Sequence, residues 1–379
     1  MIVPSETATI GEIFFDAAQR YADRPLLVAP SNSARAYDPQ GRSLSYAEAA
    51  HAVHGLMAQY REAGYGVGHR VALFLENRLE HMLHKLALNA LGVCCVPVNP
   101  DYRPRELAYL IEHAHVDLAV VLSARVADWE AARHEATWQP PHVVFEQWAA
   151  GLPPALVPAK TYVPEAQTPA SILYTSGTTG RPKGCVLSHR YELAAGEAYA
   201  TRGGLATFRA TGERLYNPLP LFHVNASILS FYAVLLTGSC QIQTDRFQPS
   251  RWWTEVRQSQ ATIVHYLGVI IQMLHAQAPH DQERDHCVRF GMGAGVEPHL
   301  HAAVEARFGF PLLELWGMTE NVRILVDNMP PRQVGTRAFG HALPGIEVRV
   351  VDDADGDVPD GQPGEMVIRH SERTPRKDF

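Results

Sequence analysis

Residues 175–184 read Thr175-Ser176-Gly177-Thr178-Thr179-Gly180-Arg181-Pro182-Lys183-Gly184, which is four hydroxyl residues, three glycines and a lysine in ten positions. Glycines let backbone N–H groups turn inward without a Cβ in the way. Hydroxyls add donors and the lysine adds charge, and together these are what a polyphosphate needs. The apolar run Ala170 to Leu173 before the loop suits a buried strand, and a strand that gives way to such a loop is a common carrier of phosphate. The loop is not a Walker A sequence, because Pro182 precedes Lys183 and Gly184 follows it. A solvated surface loop of similar composition is the plain alternative.

Glu314-Leu315-Trp316-Gly317-Met318-Thr319-Glu320 is the second informative segment, and it follows the strand candidate Phe310 to Leu313. An aromatic ring beside a glycine can stack on a purine. Thr319 and Glu320 can reach phosphate and Mg²⁺, an ion held by carboxylates together with phosphate oxygens. Gly291-Met292-Gly293-Ala294-Gly295-Val296 has the look of a dinucleotide fingerprint, but its third glycine would fall at Val296, so the match fails. In Pro218-Leu219-Pro220-Leu221-Phe222-His223-Val224-Asn225-Ala226 the histidine ends an apolar run, and it reads either as a core residue or as a group facing a substrate. No Asp or Glu occurs from Pro218 to Cys240.

Taken in this order, the segments resemble the adenylate-forming superfamily, which comprises acyl-CoA synthetases, luciferases and the adenylation domains of peptide synthetases. The resemblance also takes in Gly92 to Pro100, Leu343-Pro344-Gly345 and Gly364-Glu365. It implies that Thr175, Ser176, Gly177, Thr178, Thr179, Gly180 and Lys183 hold the phosphates of ATP. Gly293, Ala294 and Gly295 are implied as a small-residue turn beside adenine and acyl group. Trp316, Gly317, Met318, Thr319 and Glu320 complete the ATP site, with Glu320 as Mg²⁺ ligand and Trp316 where Tyr or Phe is more usual. His223 is implied where carboxylate and α-phosphate meet. Asn225, Tyr266, Leu267, Gly268 and Val269, together with His223 and Gly293, are implied as the acyl site. Catalytic roles fall on Lys183, His223, Thr319 and Glu320.

The resemblance implies an acid–thiol ligase: ATP-dependent activation of a carboxylic acid to acyl-AMP, then transfer to CoA as co-substrate. Amino-acid-activating members use an aspartate in the region of residues 218–240, so an amino acid substrate is disfavoured here. The chain looks most like the carnitine/crotonobetaine and fatty acid types, and these two remain open. So do two rivals: an enzyme that loads a carrier protein, and a non-catalytic nucleotide- or acyl-binding module. An acceptor assay separates the first, and ATP–pyrophosphate exchange separates the second.

These groups need a scaffold. Ser45-Tyr46-Ala47-Glu48 is a capping box, and apolar residues recur helically at Ala49, Val53, Leu56, Met57 and Tyr60. Val71 to Leu75 predicts a strand, Leu79 to Leu91 a helix stopped by Gly92, Val93 to Val98 a strand, Arg105 to His113 a helix and Leu118 to Leu122 a strand. That alternation predicts an α/β fold with doubly wound, mostly parallel sheets and flanking helices. Proline-rich residues 153–169 predict a connection, so that residues 1–160 form one subdomain. Residues 161–333 would form a second, opening with the phosphate-loop strand. Alternation at Ile346 to Val351 and Glu365 to Arg369 predicts a β-rich unit over 334–379, an incomplete barrel.

The resemblance further implies a Thr-Gly-Asp segment, a hinge and a mobile C-terminal domain with a catalytic lysine, and none of these occurs before Phe379. The expectation is a large N-terminal domain, poor at making acyl-CoA by itself.

At 379 residues, with 46% hydrophobic and 19% charged, the composition is that of a globular enzyme. The net charge of −7 gives no footprint for nucleic acid. Five scattered cysteines without C-x-x-C spacing, and an N-terminus without a charged and apolar leader pattern, point to a reducing cytoplasm. Of nineteen histidines, His113 and His115 are two apart, which suits neither a helical pair nor a zinc helix motif, and solvated or packed rings explain most of the set. The apolar stretch Ala226 to Gly238 is too short to span a bilayer, so no integral membrane segment is expected. A homodimer is compatible with this reading.

Overall fold

The box at residue 45 forms as read. Ser45 Oγ accepts the Glu48 N–H at 3.1 Å, and the Glu48 carboxylate accepts the Ser45 N–H at 2.7 Å, so two orphan donors of a helix start are satisfied. A computed structural model describes residues 1–175 and 181–370. In chain order its main elements are α1 (Ile10–Arg20), β1 (Pro25–Ala29), β2 (Arg42–Ser45), α2 (Tyr46–Glu62), β3 (Arg70–Phe74), α3 (Leu79–Ala90), β4 (Cys94–Pro97), α4 (Pro104–Ala114), β5 (Leu118–Val121), α5 (Val126–Glu135), β6 (His142–Val144), β7 (Pro169–Thr175) and β8 (Lys183–Ser188). There follow α6 (His189–Ala200), β9 (Arg214–Asn217), a π-helical turn (Asn225–Ser230) that runs into α7 (Phe231–Thr237), β10 (Cys240–Gln243), α8 (Pro249–Gln258), β11 (Ile263–Leu267), α9 (Gly268–His275), β12 (Phe290–Ala294), α10 (Pro298–Phe308), β13 (Leu312–Met318), β14 (Asn321–Val326), β15 (Ile346–Val351) and β16 (Glu365–His370).

Two sheets carry the fold. One has the order β6-β5-β3-β4-β7-β8 and is parallel except for β7–β8. The other has the order β14-β13-β12-β11-β9-β10-β1-β2 and is parallel except at its two ends. Strands such as β5, Leu118-Ala119-Val120-Val121, are buried throughout, as expected of parallel strands covered on both faces. β15 and β16 form a separate antiparallel pair, and no closed barrel forms among the described residues. The α/β class, the two mostly parallel sheets and the unclosed β-rich unit therefore agree with the sequence reading.

One strand assignment is corrected. The phosphate-loop strand, expected to open the second unit, is β7, and it pairs with β4 in the six-stranded sheet. Conversely, β1 and β2 from the start of the chain complete the larger sheet beside β10. An apolar run states that a strand is buried; it does not state which neighbour buries it. The sheets interlock further through α3, which touches β1 of one sheet and β3 and β4 of the other. Between them Lys85 of α3 is wholly buried, and its Nζ meets Glu192 of α6 at 2.7 Å and Ser171 of β7 at 2.6 Å.

Candidate active site

β11, β12 and β13 are parallel neighbours, so their carboxyl ends reach the same edge, where open α/β sheets bind ligands. Backbone spacing there is tight. A Cβ on Gly293 would stand 2.3 Å from the Tyr266 carbonyl oxygen, and one on Gly268 would stand 1.7 Å from that of Gly295. Only glycine lets the ends of β11 and β12 close in this way. The turn is fixed from below by Glu314 on β13. Its buried carboxylate accepts the Gly295 N–H at 2.8 Å and the Tyr266 hydroxyl at 2.9 Å. Burial raises the Glu314 pKa above the usual carboxylate value, and the three donors Gly295 N–H, Tyr266 O–H and Val296 N–H oppose that rise.

A cavity of about 190 Å³ opens at this edge. Its walls include Tyr266, Leu267, Gly293, Ala294, Leu315, Gly317 and Met318 from the strands, Tyr191 and Ala195 from α6, and Asn225 and Leu229 from the π-helical turn. Asp and Glu are absent from its described walls. π-Turns are uncommon and recur at functional sites. Here the turn presents Asn225 to the cavity and buries Ala226, Ser227, Ile228, Leu229 and Ser230.

A second cavity, of about 620 Å³, adjoins the first at Met318. It is lined by Asn99, Tyr102, Glu106, Tyr174, Thr175, Phe222, His223, Thr319 and Glu320. β13 and β14 form a hairpin with Met318 opposite Asn321, which puts Thr319 and Glu320 at its tip. Glu320 Oε1 is 3.5 Å from Thr175 Oγ1 at the end of β7. The Thr319 carbonyl accepts the Tyr191 hydroxyl at 2.5 Å and faces the Cys185 thiol at 3.8 Å. Lys183 is exposed and stands opposite Thr175 in the β7–β8 register. Desolvation lowers the His223 pKa and so favours the neutral ring.

The structure thus brings Thr175, His223, Met318, Thr319 and Glu320 to one cavity, and Asn225, Tyr266, Leu267, Gly293, Ala294, Gly317 and Met318 to the other. Ser176, Gly177, Thr178, Thr179 and Gly180 lie outside the described residues. Gly295 and Gly268 form the neck behind the apolar cavity. Among the described residues, Lys183, Gly268, Val269, Gly295 and Trp316 line neither of these two cavities. Val269 is 53% exposed and lines neither cavity. Trp316 packs near Phe339, with ring centroids 6.2 Å apart, and also lines neither. Leu315 and Gly317 occupy the cavity face of β13, so strand alternation turns Trp316 to the other face. Sequence reasoning missed Tyr191 and Glu314. Glu314 stands two residues before Trp316, and alternation from Leu315 was the signal that would have turned it inward. Nothing local marked Tyr191, whose partner lies 128 residues away.

Glu320 is the carboxylate available to a cation in the larger cavity besides Glu106, and no cluster of three or more His, Cys, Asp or Glu that could hold a metal occurs among the described residues. A carboxylate facing an open cavity suits Mg²⁺, which keeps waters and takes the rest of its shell from phosphate. No described helix is long and apolar enough to cross a membrane.

Comparisons with known proteins agree with this layout. The chain is 30% identical over 378 residues to a sulfoacetate–CoA ligase of Cupriavidus necator, covering 97% of this chain and 70% of that protein. It is 29% identical to the medium/long-chain-fatty-acid–CoA ligase FadD6 of Mycobacterium tuberculosis, over 97% of this chain and 61% of the relative. It is 25% identical to a crotonobetaine/carnitine–CoA ligase of Salmonella paratyphi A, over 94% and 70%. Among solved structures, a benzoate CoA ligase from Burkholderia xenovorans superposes with a TM-score of 0.80 at 20% identity, over 96% of this chain and 72% of that one. The N-terminal domain of FACL13 from Mycobacterium tuberculosis gives 0.80 at 21%, over 96% and 89%. These structural likenesses bear on the fold. A model of the AMP-binding enzyme family matches residues 14–374, and with its relatives named as CoA ligases, the chain belongs to that family.

Proposed function

We propose that this protein activates a carboxylic acid with Mg-ATP and passes the acyl group to CoA. The observation that carries the reading is the pair of adjoining cavities that share Met318. One holds the stem of the phosphate loop with His223, Thr319 and Glu320; the other is apolar and has no Asp or Glu among its described walls. In the first step a carboxylate oxygen attacks the α-phosphorus, the bond from that phosphorus to the bridging oxygen breaks, and pyrophosphate leaves. In the second a thiolate attacks the acyl carbonyl and AMP leaves. The chain's own residues supply position and charge, which is the main contribution to phosphoryl and nucleotidyl transfer. Lys183 and the 175–180 loop would hold the outer phosphates, and Glu320 the Mg²⁺ that neutralises them. Neutral His223 would donate a hydrogen bond where carboxylate and α-phosphate meet.

An acid without an ammonium group fits the apolar cavity best, since an ammonium there would lack a partner. The large-domain reading is part of the same proposal, with the first two subdomains, near 1–160 and 161–333, exchanging β1 and β2 for β7 and β8. ATP–pyrophosphate exchange across a panel of carboxylic and amino acids tests it, with CoA and a pantetheinylated carrier protein compared as acceptors. Exchange dependent on carboxylic acids is expected. ATP binding without exchange for any acid would leave a nucleotide-binding module instead.

A further inference from the structure

Asn225 stands at the wall of the apolar cavity, and its amide has only one orientation that its neighbours accept. The Leu219 N–H donates to Asn217 Oδ1 at 2.9 Å, so Asn217 must turn its Nδ2 the other way. That Nδ2 donates to Asn225 Oδ1 at 3.0 Å and to Ser230 Oγ at 2.9 Å. Asn225 Oδ1 also takes His265 Nδ1 at 2.8 Å and the Ser230 hydroxyl at 3.3 Å. His265 is fully buried, and burial holds it neutral, with a pKa pushed down to about 3. Its Nε2 lies 2.9 Å from the Tyr199 hydroxyl. With the tyrosine donating to Nε2, Nδ1 carries the proton and donates to Asn225. Three of these bonds end on Asn225 Oδ1, and Ser230 Oγ also lies 3.3 Å from His265 Nδ1. The Nδ2 of Asn225 is left without a partner among the described residues, at the edge of the cavity.

The other polar side chains of the wall are already engaged: Asn321 has a partner within the protein. The hydroxyls of Tyr191 and Tyr266 are committed to Thr319 and Glu314. The described lining residues include no Lys, Arg, Asp or Glu. The volume, about 190 Å³, is slightly above the ~150 Å³ that holds a benzene-sized molecule. We infer that Asn225 is a specificity-determining residue, and that the acid this protein activates has a short or medium tail with a neutral oxygen acceptor, such as a keto or ether oxygen, rather than a plain hydrocarbon chain or a second charge. His265 is a positioning residue that fixes which end of the amide faces the cavity. This inference rests on the carboxylic-acid reading of the site.

The test is calorimetric titration of the 379-residue protein in Mg-ATP with matched acids. One series carries a keto group stepped along a six-carbon chain, and its partner series carries a methyl branch at the same positions. A sulfonated acid and a quaternary-ammonium acid of similar length complete the set. The best keto acid should bind roughly tenfold more tightly than its methyl counterpart, as one hydrogen bond allows, and more tightly than either charged-tail acid. Asn225→Leu should abolish that ratio. His265→Phe should shrink the ratio while leaving ATP affinity unchanged, which a general loss of packing would not do. The wild-type series decides the matter even where a variant folds poorly. A ratio of one or less with acids bound, or tightest binding by a charged-tail acid, overturns this inference alone. Binding of ATP with no acid bound at all overturns the adenylation reading, and this inference with it.

Discussion

The Tyr191 hydroxyl and the Glu314 carboxylate hold the hairpin tip and the glycine turn, and both act through backbone groups. Tyr191→Phe leaves the Thr319 carbonyl with only the distant Cys185 thiol. It should cost about 1 kcal/mol of stability, the typical net value of one hydrogen bond. It should lower ATP–pyrophosphate exchange by more than that cost explains, because Glu320 sits on the same turn. Denaturant melts and exchange rates measured together check this, and equal small effects on both would separate the turn from the chemistry. Lys183→Ala should weaken Mg-ATP binding by roughly 1–3 kcal/mol, the range for a charge-assisted contact. Titration of Mg-ATP into both proteins measures it, and unchanged affinity removes Lys183 from the phosphate site. At this scale the residue types with chemistry were legible from the sequence. Their supports were not, since a tyrosine or glutamate that bonds a distant backbone group leaves no local pattern.

Elements set the distances between those residues. α6 packs on α7 at Gly196, where a Cβ would stand 2.4 Å from the Tyr232 Cβ and 2.5 Å from its carbonyl carbon. Backbone cannot yield as a side-chain end can, so Gly196→Ala should push α6 away from α7 and cost about 1–3 kcal/mol, the range for overpacking. α6 also supplies Tyr191 and Ala195 to the apolar cavity, so acid affinity should fall with stability. Thermal melts with and without acid and ATP read both effects. A variant as stable and as tight-binding as the parent would show that the helices do not meet at this glycine. The periodic elements were readable from apolar spacing and caps, and the strands between Val71 and Leu122 lie within a residue or two of the predicted bounds. β1 and β2 went unread. Both are short; β1 pairs with β10 far along the chain, and β2, Arg42-Ser43-Leu44-Ser45, carries little apolar signal.

Across the whole molecule, burial keeps a set of histidines neutral. His81, His84, His189 and His265 are each pushed down from 6.5 to about 3 by desolvation. Their folded pKa values lie below the unfolded ones, so between pH 6.5 and 3 the unfolded chain binds more protons. Stability is therefore full above pH 6.5 and is lost as pH falls, with each histidine contributing about 1 kcal/mol per pH unit. Glu314 and His301 work in the opposite sense, because their raised pKa values favour the fold on the acid side, but they are two groups against four. Urea midpoints should drop steeply between pH 7 and pH 5. Equal midpoints at both values would mean that these rings reach water.

The order of the phosphate loop, the Trp-Gly-x-Thr-Glu run and the alternating elements are properties of neighbouring residues, so the sequence by itself determined the family, the α/β class and the chemistry to expect. What required the tertiary structure depends on residues far apart. Strand alternation on a folded β13 turned Trp316 away from the cavities and Glu314 beneath the glycine turn. Sheet pairing sent β7 to one sheet and β1 to the other, because a buried apolar strand accepts any partner that covers it. The orientation of the Asn225 amide was decided by Asn217, Ser230 and His265. A hydrogen bond has a direction only when both of its ends are in place.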